Sequence, residues 1–303
     1  MDFLYLLESI RIPVLNDFML AITYLGDEIA FLVVALILMW CVDKRTGYYM
    51  LSVGFLGTIA NQFMKLWFRI PRPWVLDPEF TILEQAREGA SGYSFPSGHT
   101  QSSVGSFGAI AYTTKKKLVR ILSLLAVLLV PFSRMYLGVH TPLDVGVAAL
   151  MAGILIFGLR PVILGKNKRV FPIFLVVMVV VSLAFLAFVE LYHFPQDIDP
   201  HNMASGLKNA YTLLGSIIGM CIVYAVDEKW LHFPTKAVWW AQVLKVILGL
   251  GIVLVVKSGL RAPLDYVFGS LLGRSVRYFL IVIVAGIVWP LAFPFFAKLG
   301  NKE

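Results

Sequence analysis

Residues 171–189 read FPIFLVVMVVVSLAFLAFV, nineteen positions without a single charge. At 1.5 Å of rise per residue this stretch is long enough to cross a hydrocarbon layer of about 30 Å. A helix lying on a water-soluble core would carry a polar stripe instead. Comparable runs lie on both sides of it: Ile29–Val42, which follows Asp27 and Glu28, then about Tyr48–Phe68, Phe95–Thr113, Val119–Leu137, Leu143–Leu159, Leu207–Val226, Ala237–Val256 and Tyr278–Ala297. The whole chain agrees with its parts. Of its 303 residues 59% are apolar and 15% charged, with a mean hydropathy of +0.80, whereas a soluble domain carries about 25% charged residues. Disordered, fibrous and ordinary cytosolic proteins are excluded. The expected fold class is all-α, a polytopic transmembrane helical bundle of about nine spans.

Lys and Arg number 26 against 18 Asp and Glu, a net charge of +8. In such a chain this excess reports topology, not nucleic-acid binding. With the N-terminus outside, one side collects Lys44 and Arg45, the run Lys115–Lys117 with Arg120, then Arg160, Lys166, Lys168 and Arg169, and finally Lys229, Lys236, Lys298 and Lys302. That side reads as cytoplasmic, and the acidic loop at Asp197 and Asp199 falls opposite. The expectation is a multi-pass protein of a bacterial cell membrane, N-terminus outside and C-terminus inside; an organelle lumen fits the same topology.

The opening MDFLYLLESIRIP has no basic n-region, so no cleavable signal peptide is expected, and the first 20 residues read as a short interfacial helix. Cys41 and Cys221 sit in apolar runs as fillers rather than a disulfide, and Gly215 and Gly219 permit close packing within the chain. No feature sets an oligomeric state.

Three segments place polar groups where a membrane protein would avoid them: Lys65 to Arg72-Pro73, Pro96-Ser97-Gly98-His99, and Ser133-Arg134 through His140 to Asp144. In the expected topology all three reach the same face, and costly ionisable groups at span ends mark a functional site. Lys65, Arg72 and Arg134 are cations suited to phosphate oxygens. Ser97 and Gly98 open a helix, so their amides can point at an anion. Asp144, four residues after His140, can hold one ring nitrogen protonated and leave the other as a nucleophile. His99 has no carboxylate in its own segment and is free to donate a proton to a leaving oxygen. No Asp/Glu cluster suited to Mg²⁺ accompanies them, so no metal or other cofactor is expected. Asn61, one turn before Lys65, reads as interhelical packing rather than support for the site. Glu190, His193, Asp197, Asp199 and His201 read as a solvated loop rather than a metal site.

These residues resemble the three-part signature of the type-2 phosphatidic acid phosphatase and vanadium haloperoxidase superfamily, Lys-x6-Arg-Pro, Pro-Ser-Gly-His and Ser-Arg-x5-His-x3-Asp. All eleven specified positions match. The resemblance covers roughly residues 20–160 and implies metal-independent hydrolysis of a phosphate ester or diphosphate through a phosphohistidine. It implies His140 as nucleophile oriented by Asp144, His99 as general acid and then base, and Lys65, Arg72, Ser97, Gly98 and Arg134 as phosphate ligands. The arrangement of spans is similar to the nine-span glucose-6-phosphatase branch, as is Arg72-Pro-Trp-Val-Leu-Asp77.

Residues 1–165 are therefore expected to form a phosphatase catalytic membrane core, and residues 166–303 additional C-terminal transmembrane helices. Within the latter, the basic segment from Lys257 to Arg277 reads as a solvated or headgroup-contacting face. The expected partners are membrane lipids and a lipid phosphate or diphosphate substrate, either an isoprenoid such as undecaprenyl diphosphate or a glycerolipid phosphate. The alternatives are a glucose-6-phosphatase-like sugar phosphatase, or a non-catalytic transporter of anions or lipids using the same pocket.

Overall fold

The computed structural model describes residues 1–90, 92–167 and 169–299. Lys168 and Lys302, counted above as cytoplasmic cations, lie outside the described residues. Among the described residues every regular element is helical.

The chain begins with α1 (Asp2–Ser9) and α2 (Pro13–Thr23), so the single interfacial helix expected there is two helices. Pro13 divides them, because it has no amide hydrogen for the preceding turn and a ring that suits the first position of a new helix. A 3-10 turn, Tyr24–Gly26, leads into α3 (Glu28–Ile37), which ends in a π-helical turn, Leu38–Val42. Then follow α4 (Lys44–Phe68), the short α5 (Pro73–Leu76), α6 (Gly98–Thr113), α7 (Lys117–Tyr136), α8 (Pro142–Leu164), α9 (Val170–Leu191) and α10 (Pro200–Val226). The last helices are α11 (Trp239–Gly259), α12 (Arg261–Phe268), α13 (Ser270–Ile283) and α14 (Phe293–Lys298).

Each of the nine expected crossings contains helix. Among the described residues six helices are long and apolar enough to span a membrane, or up to seven when Pro13–Gly26 and Glu28–Val42, bent by 55°, count as one span. The difference from nine has a physical source in two elements. The 25-residue α4 includes Lys44, Arg45, Asn61, Gln62 and Lys65, and α6 has only 16 residues, six of them Ser, Thr or Gln.

The chain divides into two compact units. The first gathers Met1–Val34, Tyr49–Pro161 and His193–Gly206, and the second Ala35–Tyr48, Val162–Tyr192 and Leu207–Glu303. In the second unit, Lys245 is 1% exposed and donates to the Trp40 and Thr235 carbonyls at 2.8 and 3.1 Å. Lys44 pairs with Asp227 at 2.7 Å. A Cβ on Gly215 would strike the Ser275 carbonyl, and one on Gly219 would crowd Val282, so this glycine pair does pack within the chain. The segment from Lys257 to Arg277 is mostly exposed, as a solvated or headgroup-contacting face would be. It is largely helical, and the exception to its exposure is on α13, where Gly273, Ser275 and Arg277 are buried, Arg277 being only 6% exposed. A cavity of about 590 Å³ in this unit is lined by Lys44, Tyr48, Asp227 and His232 among others, and by none of the motif residues.

The motif residues all belong to the first unit. Its core includes Met19 of α2 packed with Tyr136, Leu137 and Val139 at the end of α7. Arg11 braces the same corner, donating to the Tyr136 carbonyl at 3.1 Å and the Thr81 carbonyl at 2.9 Å. There α7 stops at Gly138, whose φ of +82° lies in the region glycine enters without strain. The amide of Val139 then returns to the Arg134 carbonyl at 3.1 Å, and this reversal carries His140 back toward Arg134.

Candidate active site

His140 is the centre of the site and is 1% exposed. Its Nε2 lies 2.9 Å from Nη1 of Arg72. A guanidinium can only donate, so Nε2 holds a lone pair and the ring proton belongs on Nδ1. Nδ1 faces Asp144 Oδ2 at 3.4 Å and Ser94 Oγ at 3.5 Å. Burial, then the cations Arg72, Arg134 and Lys65, push His140 well below the ordinary imidazole range. The imidazole is therefore neutral.

The carboxylate of Asp144 is fixed by the start of α8. Thr141 Oγ1 accepts the Asp144 amide at 3.2 Å, and Asp144 Oδ2 accepts the Thr141 amide at 2.7 Å, a reciprocal cap. Ser94 adds a 2.5 Å hydroxyl bond to the same oxygen. Oδ2 is thus held by two donors before the imidazole meets it.

Arg72 follows the end of α4, where Arg69 turns the backbone to φ +51°, and stands extended ahead of Pro73. Its guanidinium, 6% exposed, donates from Nε to the Gly92 carbonyl at 2.8 Å and from Nη1 to the Val139 carbonyl at 2.9 Å. Burial lowers it to about 10, against an opposing pull from Asp144. Lys65 donates to the Tyr93 carbonyl at 2.5 Å. Arg134, 1% exposed, donates to Thr23 Oγ1 at 2.7 Å and the Gly89 carbonyl at 3.3 Å, while its buried Nε finds no partner among the described residues. Carbonyls, a hydroxyl and an imidazole are among the groups that orient these cations. Burying an ion costs several kcal/mol, so three gathered in one place mark a site built for an anion.

His99 stands at the start of α6, its side chain 18% exposed, and is close enough to His140 for the two to interact electrostatically. Its Nε2 lies 2.8 Å from Asp27 Oδ1, a carboxylate from the turn before α3. The histidine that has no acid in its own segment finds one far earlier in the chain.

The structure thus gathers Lys65, Arg72, Arg134, His99, His140 and Asp144 at one end of the first unit. The glycine-led turn differs in part from its reading. Ser97 Oγ caps α6 by accepting the Thr100 amide at 3.3 Å, but the Ser97 amide, expected to face an anion, donates to the Asp144 carbonyl at 3.1 Å. That bond ties the two catalytic-looking segments together, which is why the amide is taken. At Gly98 a Cβ would meet only Asn61 Oδ1, at 3.9 Å. Asn61 itself donates to the Pro96 carbonyl at 3.3 Å, so it supports this turn rather than a neighbouring helix.

Ser94, Thr23 and Asp27 were not legible as site residues, since each acts through a partner remote in sequence. Asn202 joins them from the loop before α10, accepting the Tyr93 amide at 2.8 Å. The remainder of that acidic loop holds no group of three or more His, Cys, Asp or Glu able to bind a metal among the described residues.

Known proteins resemble the chain in both its N-terminal and its C-terminal parts. Residues 45–169 match the PAP2 superfamily, and residues 211–302 match the transmembrane extension of PAP2 superfamily phosphatases. Phosphatidylglycerophosphatase B of Bacillus subtilis (strain 168) is 33% identical over 173 residues, 53% of this chain and 80% of that protein. An undecaprenyl-diphosphatase of Sulfolobus acidocaldarius is 29% identical over 138 residues, 45% of this chain and 64% of that protein. No solved structure matches. A third of the positions shared across four-fifths of a known phosphatase, on a chain of membrane-length apolar helices, makes this protein a multi-pass membrane phosphatase of the PAP2 superfamily.

Proposed function

We propose that the protein hydrolyses a lipid phosphate or diphosphate on the non-cytoplasmic face of the membrane, through a phosphohistidine on His140 and without a metal ion. The observation that carries this reading is the placement of His140: its Nε2 lies 2.9 Å from a buried guanidinium, and its other nitrogen faces an anchored carboxylate. An anion bound by Arg72, Arg134 and Lys65 meets the lone pair of Nε2.

In this reading the cations neutralise the phosphoryl oxygens, and His140 Nε2 attacks phosphorus in line while Asp144 stabilises the imidazolium that forms. His99 protonates the departing oxygen, then takes a proton from the water that releases phosphate. Gly98 leaves room for a phosphoryl group beside the turn, and Ser97 holds the turn in place through its cap and its bond to Asp144.

Orientation is supported by helix polarity. Lys115–Lys117 lie at the ends of α6 and α7 opposite His99 and Arg134, about 24 Å away along α6 at 1.5 Å per residue, and dense basic connections favour the cytoplasm. Catalysis is assigned to residues 1–165, and residues 166–303 are read as membrane helices added to that core. A lipid substrate is favoured because headgroup phosphates lie at the depth of span ends, and because the named relatives are a phosphatidylglycerophosphatase and an undecaprenyl-diphosphatase.

The test is phosphate release by the detergent-purified protein, in EDTA, from phosphatidic acid, phosphatidylglycerol phosphate, undecaprenyl diphosphate and glucose 6-phosphate. Turnover of a lipid substrate well above the sugar phosphate is expected. Preference for glucose 6-phosphate, or loss of activity in EDTA, would overturn the reading.

A further inference from the structure

The residues matched to the PAP2 superfamily begin at position 45, yet two of the site's side chains are held by residues that come before it. Thr23 Oγ1 accepts from Arg134 at 2.7 Å, and Asp27 Oδ1 sits 2.8 Å from His99 Nε2. The backbone between them fits only because residue 26 is glycine. A Cβ there would lie 2.9 Å from the His99 carbonyl oxygen and from Val130, and 3.0 Å from the His99 Cβ. The Tyr24–Gly26 turn therefore presses against the backbone of His99 itself. Asp27, whose carbonyl accepts the first amide bond of the following helix from Phe31 at 3.1 Å, is delivered beside the ring. The contact is built by backbone, not by a flexible side chain reaching across solvent.

We propose that Asp27 is a positioning residue for His99, fixing its ring and its protonated form for the proton transfers of the reaction, and that the N-terminal segment is thereby part of the active site. This rests on the general-acid reading of His99 given above. The groups that bear on His99 are Arg134 from α7, Arg72 from the stretch before α5, His140 from the end of α7 and Asp27 from the turn before α3. Two of these are permanent cations, which disfavour a second positive charge on the ring. Asp27 is the carboxylate among them.

With Nε2–H held by Asp27, Nδ1 is the nitrogen left to exchange a proton. As the bond from phosphorus to the leaving oxygen breaks, the Nδ1 proton moves to that oxygen and the ring becomes neutral. When water attacks, its oxygen bonds to phosphorus, the bond from phosphorus to His140 breaks, and the water proton returns to Nδ1. Asp27 remains a carboxylate throughout, as an orienting acid beside a catalytic histidine does.

The experiment compares wild type, Asp27→Asn and Asp27→Glu on phosphatidic acid in detergent micelles, a poor leaving group, and on p-nitrophenyl phosphate, a good one. Asp27→Asn is expected to slow the first release of leaving group by about 10- to 100-fold on phosphatidic acid and by less than about threefold on the aryl ester. The alkaline limb of its kcat profile should move to lower pH, because removing a negative charge makes the imidazolium easier to deprotonate. Asp27→Glu should restore both the rate and the limb. In a His99→Ala background Asp27→Asn should add nothing. Equal losses on both substrates with an unmoved limb, wild-type behaviour of Asp27→Asn, or a further loss in the His99→Ala background would each overturn the proposal. The wild type and His140→Ala separate it from the underlying reading. If the wild type releases no phosphate, or His140→Ala still does, the catalytic assignment itself fails, whatever Asp27 does.

Discussion

The two histidines of the site each meet a carboxylate, but the pairs are built from different materials. His140 and Asp144 are four residues apart, both about 2% exposed at their side chains, and the carboxylate is locked by the cap of its own helix. His99 and Asp27 come from separate parts of the chain, are 18% and 40% exposed at their side chains, and meet through a single 2.8 Å contact. The first pair surrounds a neutral ring among buried cations. The second lies nearer to water, where protons can be exchanged. In the proposed mechanism one fold thus prepares a nucleophile and a proton carrier by how deeply each imidazole is buried and how rigidly its acid is held.

The largest expected effect breaks the first pair. His140→Ala should lower phosphate release by about 10⁴-fold or more while leaving binding of a phosphate analogue intact; substantial residual turnover would remove His140 from the nucleophile's role. Asp144→Asn comes next, at between about 10²- and 10⁴-fold, since an amide in that place can present a donor to Nδ1 and favour the wrong tautomer. A loss confined to KM would show that Asp144 acts on binding instead.

His99→Ala tests the second pair. It should slow the first phosphoryl transfer, read as the initial burst of leaving group, by about 10²-fold or more on phosphatidic acid and within about tenfold on p-nitrophenyl phosphate, whose leaving group needs little protonation. Equal losses on the two substrates would mean that His99 transfers no proton.

The smallest effect concerns stability. The folded chain resists protonating His140, whereas the unfolded chain takes that proton near pH 6.5. Below that pH the unfolded state binds more protons, so stability falls as pH falls, by at most about 1.4 kcal/mol per pH unit for this one group. Thermal unfolding in detergent should show that slope between pH 6.5 and 5 in the wild type and a shallower one in His140→Asn. Identical slopes would place the charge change elsewhere.

The contrast between the pairs also explains what could be read from the sequence. Asp144 was legible because four residues along a helix start is a fixed distance in space, and Lys65, Arg72 and Arg134 were legible because cations at span ends are costly. Asp27 was not. In sequence it is one acid before an apolar run, like any residue flanking a span, and only the packing of Gly26 on the backbone of His99 gives it a partner. Ser94 was hidden for the same reason, a lone hydroxyl whose acceptor belongs to α8. The amide of Ser97 was misjudged because the Asp144 carbonyl competes for it. The burial of Arg277 within an otherwise exposed segment is not legible in the sequence, because the helical phase that turns it inward depends on where α13 begins, after the turn at Gly269. Residue chemistry marked the site, and long-range packing decided how each group is used.

The most direct test of the account is to trap the enzyme halfway. His99→Ala protein should accept a phosphoryl group from p-nitrophenyl phosphate, which leaves without help, but lack the base that activates water. Alkaline quenching and peptide mapping should then find close to one phosphoryl group per chain on His140, and none when His140→Ala is added. Phosphoryl on any other residue, labelling that survives in the double variant, or turnover without a phosphoenzyme would contradict it.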